Sequence, residues 1–273
     1  MGNVFAWTLI GVGLIGGLVA PFLVRAKTKP IVTHTIGWIL WFLFAFVVSQ
    51  FVMAFAAMAV GRDIATRVEF SVLYQAVTYL FSLAMMALLP LRLWKDSQKS
   101  KKSSLKKVER HQFIRKLISL DRRPTWNDAK EYLMSFPLFF VTNLAASAVL
   151  TLLLGATVMG QEQEIGFTKT GQEPLSLVLI FFCLVVLAPV FEEMLLRGAL
   201  FSKIREKLKF WPTALLTAGV FALIHGQFNV GVMTFILALY SAFLREKTGA
   251  LWSSIMLHAT QNLIAFCLLF LVR

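Results

Sequence analysis

Charged residues are scarce in this chain: they make up 15% of its 273 residues, whereas hydrophobic residues make up 58%. Because soluble domains are about one-quarter charged and about half apolar, this composition excludes an ordinary soluble domain. Cysteine is almost absent as well, and both copies, Cys183 and Cys267, fall inside apolar runs. We therefore expect no disulfide framework, and we expect both cysteines to pack as small hydrophobic side chains.

Three signatures of membrane-embedded hydrolases are also missing. The sequence contains no His-Glu-x-x-His zinc motif, no Gly-x-Ser-x-Gly nucleophile elbow and no Gly-x-Gly-Asp aspartyl motif. Hydrolytic chemistry in this chain would therefore need a different set of residues.

Long apolar runs dominate what is present. Since a membrane span requires about 20 apolar residues, the sequence predicts an all-α, polytopic membrane helical bundle of about eight transmembrane helices. The predicted spans are residues 4–24, 31–60, 70–91, 135–160, 175–200, 211–225, 229–244 and 251–271. Residues 122–134 have helical apolar spacing and predict an interfacial helix that leads into the fourth span.

The positive charge is concentrated in one loop. Residues 92–123 hold twelve Lys or Arg and three Asp or Glu, so this loop carries +9 of the net charge of +13. It lies between two apolar spans and contains no nucleic-acid reader motif, so we expect a cytoplasmic loop and no nucleic-acid partner. Basic loops follow the odd-numbered spans, which places both termini outside the cytoplasm.

Charged residues also occur inside the fifth predicted span, in the stretch "FEEMLLRG". Glu193 and Arg197 are four residues apart and share one helix face, so each can neutralise the other. Glu192 points about 100° away and is left to act as a general base. The alternative is that both glutamates form salt bridges that only hold helices together.

Two later spans carry histidines. His225 ends the stretch "FALIH", with Phe221 four residues earlier on the same face. In "HATQN", His258 and Asn262 share a helix face and can both donate hydrogen bonds into one cavity. A buried, satisfied histidine and a polar contact between helices are the alternatives. His34 and His111 are expected on the surface.

The depths in the membrane that the predicted spans give agree for two of these three side chains. At 1.5 Å per residue, Glu192 and His258 are expected roughly 10–12 Å below the cytoplasmic boundary. His225, counted from Trp211, is expected about 21 Å deep, which does not match the other two.

The order and spacing of "EEMLLR", "FALIH" and "HATQN" resemble the three motifs of the CPBP family, which includes the type II CAAX prenyl endopeptidases and bacteriocin-processing membrane proteins. The resemblance covers residues 192–262. It implies an all-helical glutamate-dependent intramembrane protease, with no cofactor and no metal. Residues 135–273 would form the protease core, and residues 1–134 a three-span region outside the resemblance.

The resemblance also implies residue roles. Glu192 and His225 would activate a water molecule, His258 and Asn262 would form an oxyanion hole, and Glu193 with Arg197 would support the site. The substrate would be a membrane-associated peptide or protein, prenylated in the family's best-known reaction. The protein would lie in the plasma or inner membrane with its active site facing the cytoplasm.

Two other function classes remain open from the sequence. Two glutamates and two histidines could supply the ligands of a metal-dependent membrane hydrolase, although Asn262 is a poor zinc ligand. The chain could also be a non-catalytic immunity or scaffold protein that acts by binding a partner in the membrane.

Overall fold

The structure, a computed structural model, describes residues 2–24, 31–61, 64, 67–100, 119–160 and 173–271, and these residues form helices without any strand. The expected all-α class is confirmed. The helices are α1 (Gly2–Val24), α2 (Ile31–Val60), α3 (Val68–Ser100), α4 (Trp126–Leu154), α5 (Ala156–Met159), α6 (Pro174–Arg205), α7 (Phe210–Ile224), α8 (Phe228–Thr248) and α9 (Trp252–Phe266). Residues 101–118, which include His111, and residues 161–172 lie outside the described residues.

Seven of these helices are long and apolar enough to cross a membrane, namely α1, α2, α3, α4, α6, α8 and α9. The chain is therefore an integral membrane protein with a polytopic helical bundle. Helix α7, the sixth span expected from the sequence, is apolar but has only 15 residues. At 1.5 Å per residue it is about 22 Å long, which is less than the roughly 30 Å thickness of the hydrocarbon core.

The interfacial helix expected at residues 122–134 is not a separate element. Helix α4 begins at Trp126 and runs without interruption to Leu154. Its start is stabilised by Asp128, whose carboxylate accepts a hydrogen bond of 2.7 Å from the Thr125 backbone N–H, as in a capping box. The amphipathic stretch is therefore the first two turns of the fourth membrane helix.

Helix α6 contains two π-helical stretches, Phe182–Leu187 and Met194–Leu200. The first ends just before Pro189, which has no backbone N–H to donate. In the i→i+5 pattern of a π-helix, the carbonyl of Leu184 would need that missing donor. The side-chain amide of Asn262 donates to it instead, at 2.8 Å.

Several ion pairs lie at one end of the bundle. At this end α3, α6 and α8 terminate and α4, α7 and α9 begin, and we refer to it as the basic end. The pairs are Arg122–Asp128 (2.6 Å), Lys247–Glu131 (2.6 Å) and Arg205–Glu246 (2.8 Å). The end where α2, α4 and α7 terminate and α3 and α8 begin is called the opposite end.

The first three helices share one hydrophobic core with the later ones. Phe42 of α2, Met86 of α3 and Leu200 of α6 are all buried in the same cluster. The boundary at residue 134 therefore stays a prediction about chain organisation. His34, expected on the surface, is instead buried in α2 and accepts a hydrogen bond of 3.1 Å from the Trp38 indole N–H. The reason is that the face of α2 that carries His34 packs into the bundle.

Cysteine labelling tests the orientation of the bundle. On a background without Cys183 and Cys267, we expect Ser103→Cys to react with a membrane-impermeant maleimide only after the membrane is opened, because its loop carries +9 and such loops are expected to face the cytoplasm. Gln163→Cys, in an acidic loop, should react in intact cells. The reverse pattern would contradict the assigned orientation.

Candidate active site

A buried cluster surrounds Glu193, whose side chain is fully excluded from solvent. Its Oε1 lies 3.2 Å from Nη1 of Arg197 and 3.1 Å from Nδ1 of His258. The ion pair with Arg197 that the spacing predicts is thus present. His258, from α9, adds a partner that the local sequence around Glu193 does not reveal.

Glu192 lies on another face of α6, as its position next to Glu193 predicts. Its side chain is 21% exposed, and its Oε2 lies 3.7 Å from Nε2 of His258. Its Oε1 accepts a hydrogen bond of 2.7 Å from the hydroxyl of Tyr79 on α3. One glutamate is therefore held in a buried ion pair, while its neighbour remains open to a cavity.

The ring of Phe221 joins these groups. Its centroid lies 4.6 Å from the ring of His225, 5.9 Å from the ring of His258 and 5.0 Å from Cζ of Arg197. His225 also places Nδ1 at 2.7 Å from the backbone oxygen of Phe221. Gly226 follows with φ +69°, a conformation that favours glycine, and ends α7 directly after His225.

Glu192 and His225 line the same cavity, which has a volume of about 620 Å³. The other lining residues come from α2, α3, α6 and α7. His258 and Asn262 are not among them. The structure thus brings His258 into contact with Glu192, while the amide of Asn262 is directed to the backbone of α6.

Glu192 and His225 lie at similar depths in the structure. Helix α6 continues to Arg205, so Glu192 lies 13 residues, or about 20 Å, from the basic end rather than the expected 10–12 Å. His225 lies 15 residues beyond Phe210, at about 22 Å. The sequence-based depth was wrong because the helix extends through basic residues, whose long side chains reach the interface. His258 is only six residues, or about 9 Å, from the start of α9 at Trp252, so its contact with Glu192 means that α9 begins deeper in the bundle than α6 ends.

Among the described residues, no three His, Cys, Asp or Glu side chains are arranged to hold a metal ion. Glu193 uses one oxygen for both Arg197 and His258. A buried arginine beside a carboxylate competes with a cation for it.

The geometry can be compared with known proteins. The model of the type II CAAX prenyl endopeptidase Rce1-like family matches residues 174–264. The match covers 91 of the 273 residues. The resemblance expected from the three motifs is therefore confirmed, and it identifies a peptidase of the CAAX intramembrane type in general. No curated protein and no solved structure matches the chain.

Sequence reasoning missed Tyr79, which lies outside the Rce1-like segment. Its hydroxyl also lies 3.5 Å from Nε2 of Gln75, whose Oε1 is 3.3 Å from Sγ of Cys183. The amide donates to the phenol, and the phenol donates to Glu192. A polar stripe of Gln75 and Tyr79, four residues apart in an apolar span, was the available signal.

We expect Tyr79→Phe to lower the turnover number by about tenfold or more with little change in KM, since a hydrogen bond to a charged group is worth about 1.5–3 kcal/mol. The ring can keep its stacking on Phe191, at 5.6 Å, so the fold should persist. Steady-state kinetics in detergent measures both constants. Tyr240→Phe is the matched control, because its hydroxyl also takes part in a hydrogen bond between helices, at 2.9 Å from Oγ1 of Thr142, but does not line the cavity. Equal effects of the two variants would contradict this role.

Proposed function

We propose that the protein is an intramembrane endopeptidase in which Glu192 and His225 activate a water molecule that hydrolyses a peptide bond of a membrane-associated substrate. One observation carries this proposal: both side chains line a single cavity, whereas Glu193 is held by Arg197 and His258. The Rce1-like family of residues 174–264 supports the same reaction class.

The contacts of His225 support its part in the reaction. When its Nδ1–H donates to the carbonyl of Phe221, its Nε2 is left with a lone pair that can accept a hydrogen bond from water. The water oxygen bonds to the peptide carbonyl carbon as its proton passes to Glu192. Glu192 then returns the proton to the leaving nitrogen as the C–N bond breaks, so the products are a carboxylic acid and an amine.

His258 and Asn262 are proposed to stabilise the oxyanion. His258 directs Nδ1 to Glu193, so Nε2 can donate only if the ring is doubly protonated. Asn262 donates one amide hydrogen to the backbone oxygen of Leu184, and its second amide hydrogen remains available as a donor. An oxyanion donor is worth about 10²–10³ in rate.

The experiment that tests this function compares peptides in membranes from cells that carry wild-type protein or Glu192→Ala. We expect fragments that are present with wild type and absent with the variant. Glu206→Ala is the matched control, because Glu206 is exposed and pairs with Lys203. Identical fragments in all three membranes would overturn the peptidase assignment and favour a scaffold.

The same substrates would show whether prenylation matters. Where a substrate ends in a CAAX sequence, changing its cysteine to serine blocks the lipid attachment. Loss of cleavage would mean that the lipid is required, whereas continued cleavage would mean that a membrane-associated peptide is sufficient.

A further inference from the structure

The cavity beside Glu192 is built largely by helices that precede the Rce1-like segment. From α3 the polar side chains of Ser71, Gln75, Thr78 and Tyr79 line it. Across from them, α2 contributes mainly apolar side chains, those of Phe42, Phe46, Ala54 and Ala57. One wall of the cavity is therefore polar at helical spacing, and the facing wall is apolar except for Gln50.

The cavity is closed toward the basic end. There Trp41 of α2 donates a hydrogen bond of 3.2 Å to the backbone oxygen of Met86 on α3, and both side chains are buried in the core with Leu200. This tightly packed layer leaves no room for a peptide between α2, α3 and α6 at that level.

The cavity extends from Glu192 toward the opposite end. Its outermost lining residues are Ala57, three positions before α2 ends at Val60, and Phe70, two positions after α3 begins at Val68. From Phe70 to Tyr79 the helix rises about 14 Å, and an extended chain of that length has about four residues.

We infer that this cavity binds an extended, apolar peptide segment of about four residues, which enters from the opposite end of the bundle and presents its scissile bond to Glu192. This inference rests on the proposed function, because it assigns the substrate-binding part of the same site. The polar wall of α3 and the apolar wall of α2 determine which segments bind.

The chemistry of the walls favours a peptide. An extended backbone inside a membrane has unpaired N–H and C=O groups, and each unpaired group costs several kcal/mol. Amide and hydroxyl side chains from α3 can pair with them at alternating positions, while apolar side chains of the peptide contact α2. The same side chains already bond to backbone oxygens four residues earlier, to each other, to Cys183 and to Glu192. Their remaining donor and acceptor positions can pair with a peptide backbone but not with an isoprenoid chain, which has no polar groups.

Entry from the opposite end differs from the cytoplasmic entry expected from the sequence. The loop charges assign the basic end to the cytoplasm, so the mouth of the cavity lies on the non-cytoplasmic side. A substrate would reach Glu192 from that side of the membrane.

Labelling of single cysteines tests the direction of access. On a background without Cys183 and Cys267, Gln50→Cys and Thr78→Cys place thiols in the cavity wall. We expect both to react with 2-(trimethylammonium)ethyl methanethiosulfonate, a membrane-impermeant cation, from the side on which Gln163→Cys reacts. Reaction only from the side of Ser103→Cys, or from neither side, would overturn the inference.

Each cavity position has a matched control two residues away on the same helix. Val52 and Leu80 are exposed on the outer surface of the bundle and do not line the cavity. A thiol in lipid is held in its unreactive protonated form, so Val52→Cys and Leu80→Cys should react at least about tenfold more slowly, the effect of one pKa unit. Equal rates would mean that the cavity holds lipid rather than water.

Two soluble probes test what the cavity binds, in the Glu192→Gln background so that nothing is cleaved. Acetyl-Leu-Phe-Ala-Leu-amide should slow modification of Thr78→Cys by about tenfold at ten times its Kd. Farnesol should give no such protection. Protection by farnesol alone would replace the peptide with a lipid chain, and protection by neither probe would overturn the inference.

These measurements need no catalysis, so the two proposals fail separately. If Glu192→Gln keeps full activity while the cavity thiols react from the opposite end and are protected by the peptide, the catalytic assignment fails and the binding cavity stands. If the thiols react from the basic end while Glu192→Gln is inactive, the binding-cavity inference fails and the catalytic assignment stands.

Discussion

Replacing Glu192 with Gln will lower the rate of peptide cleavage by at least about 100-fold, because a positioned general base contributes about 10²–10⁴. Gln has the same shape but cannot accept the proton of the attacking water. Its amide oxygen can still accept the hydrogen bond from Tyr79, so the local structure should persist. The measurement is the cleavage rate of a substrate found by the membrane comparison, at equal protein concentration.

The matched control for Glu192→Gln is Glu206→Gln. Glu206 is an exposed residue near the end of α6 that pairs with Lys203 at 2.7 Å. We expect it to keep the wild-type rate. Both variants should unfold in detergent at the wild-type temperature, which separates loss of chemistry from loss of fold. A wild-type rate for Glu192→Gln would show that another group takes the proton.

Removing either partner of the buried pair Glu193–Arg197 will destabilise the protein by about 3–5 kcal/mol, since an uncompensated buried charge is left behind. Both side chains are almost completely buried, at 0% and 1% exposure. Thermal unfolding of Glu193→Ala and Arg197→Ala in detergent measures the loss.

The two single variants should differ. After Arg197→Ala, Glu193 keeps His258 at 3.1 Å. After Glu193→Ala, Arg197 keeps the face of Phe221 at 5.0 Å and the more distant charge of Glu192, but no ion pair among the described residues. We therefore expect the larger loss for Glu193→Ala. The double variant should be less destabilised than the sum of the single variants, because no unpaired charge of this pair remains.

An exposed ion pair provides the control for this cycle. Arg205 and Glu246 lie 2.8 Å apart, with side chains 38% and 37% exposed. Their alanine variants should each cost no more than about 1 kcal/mol and should add nearly independently. Additive losses for Glu193 and Arg197 as well would contradict their pairing.

Local spacing predicted part of the site correctly. Four residues bring Glu193 and Arg197 onto one helix face, and one residue moves Glu192 to another face. Both placements agree with the structure because they depend only on helix geometry. The end of α6 was predicted wrongly for a related reason: helical propensity continues through Lys203 and Arg205, so charge does not mark where a helix ends.

The hydrogen-bond donor to Glu192, Tyr79, could not be found from the motifs. Tyr79 is 113 positions earlier in the chain, and no local pattern connects the two residues. The hydrogen bond from Asn262 to the backbone of α6 could not be predicted from the sequence either. The carbonyl that it satisfies is left without a donor only because α6 adopts a π-helical stretch before Pro189.

The sequence by itself determined the membrane class, the helical architecture and the family of residues 174–264, because apolar length, helical spacing and short motifs are local properties. Tertiary structure alone decided which cavity Glu192 faces, that α2 and α3 form its walls, and that packing around Trp41 closes it toward the basic end. Those features depend on contacts between helices far apart in the chain, and their packing follows from the shapes of many side chains together.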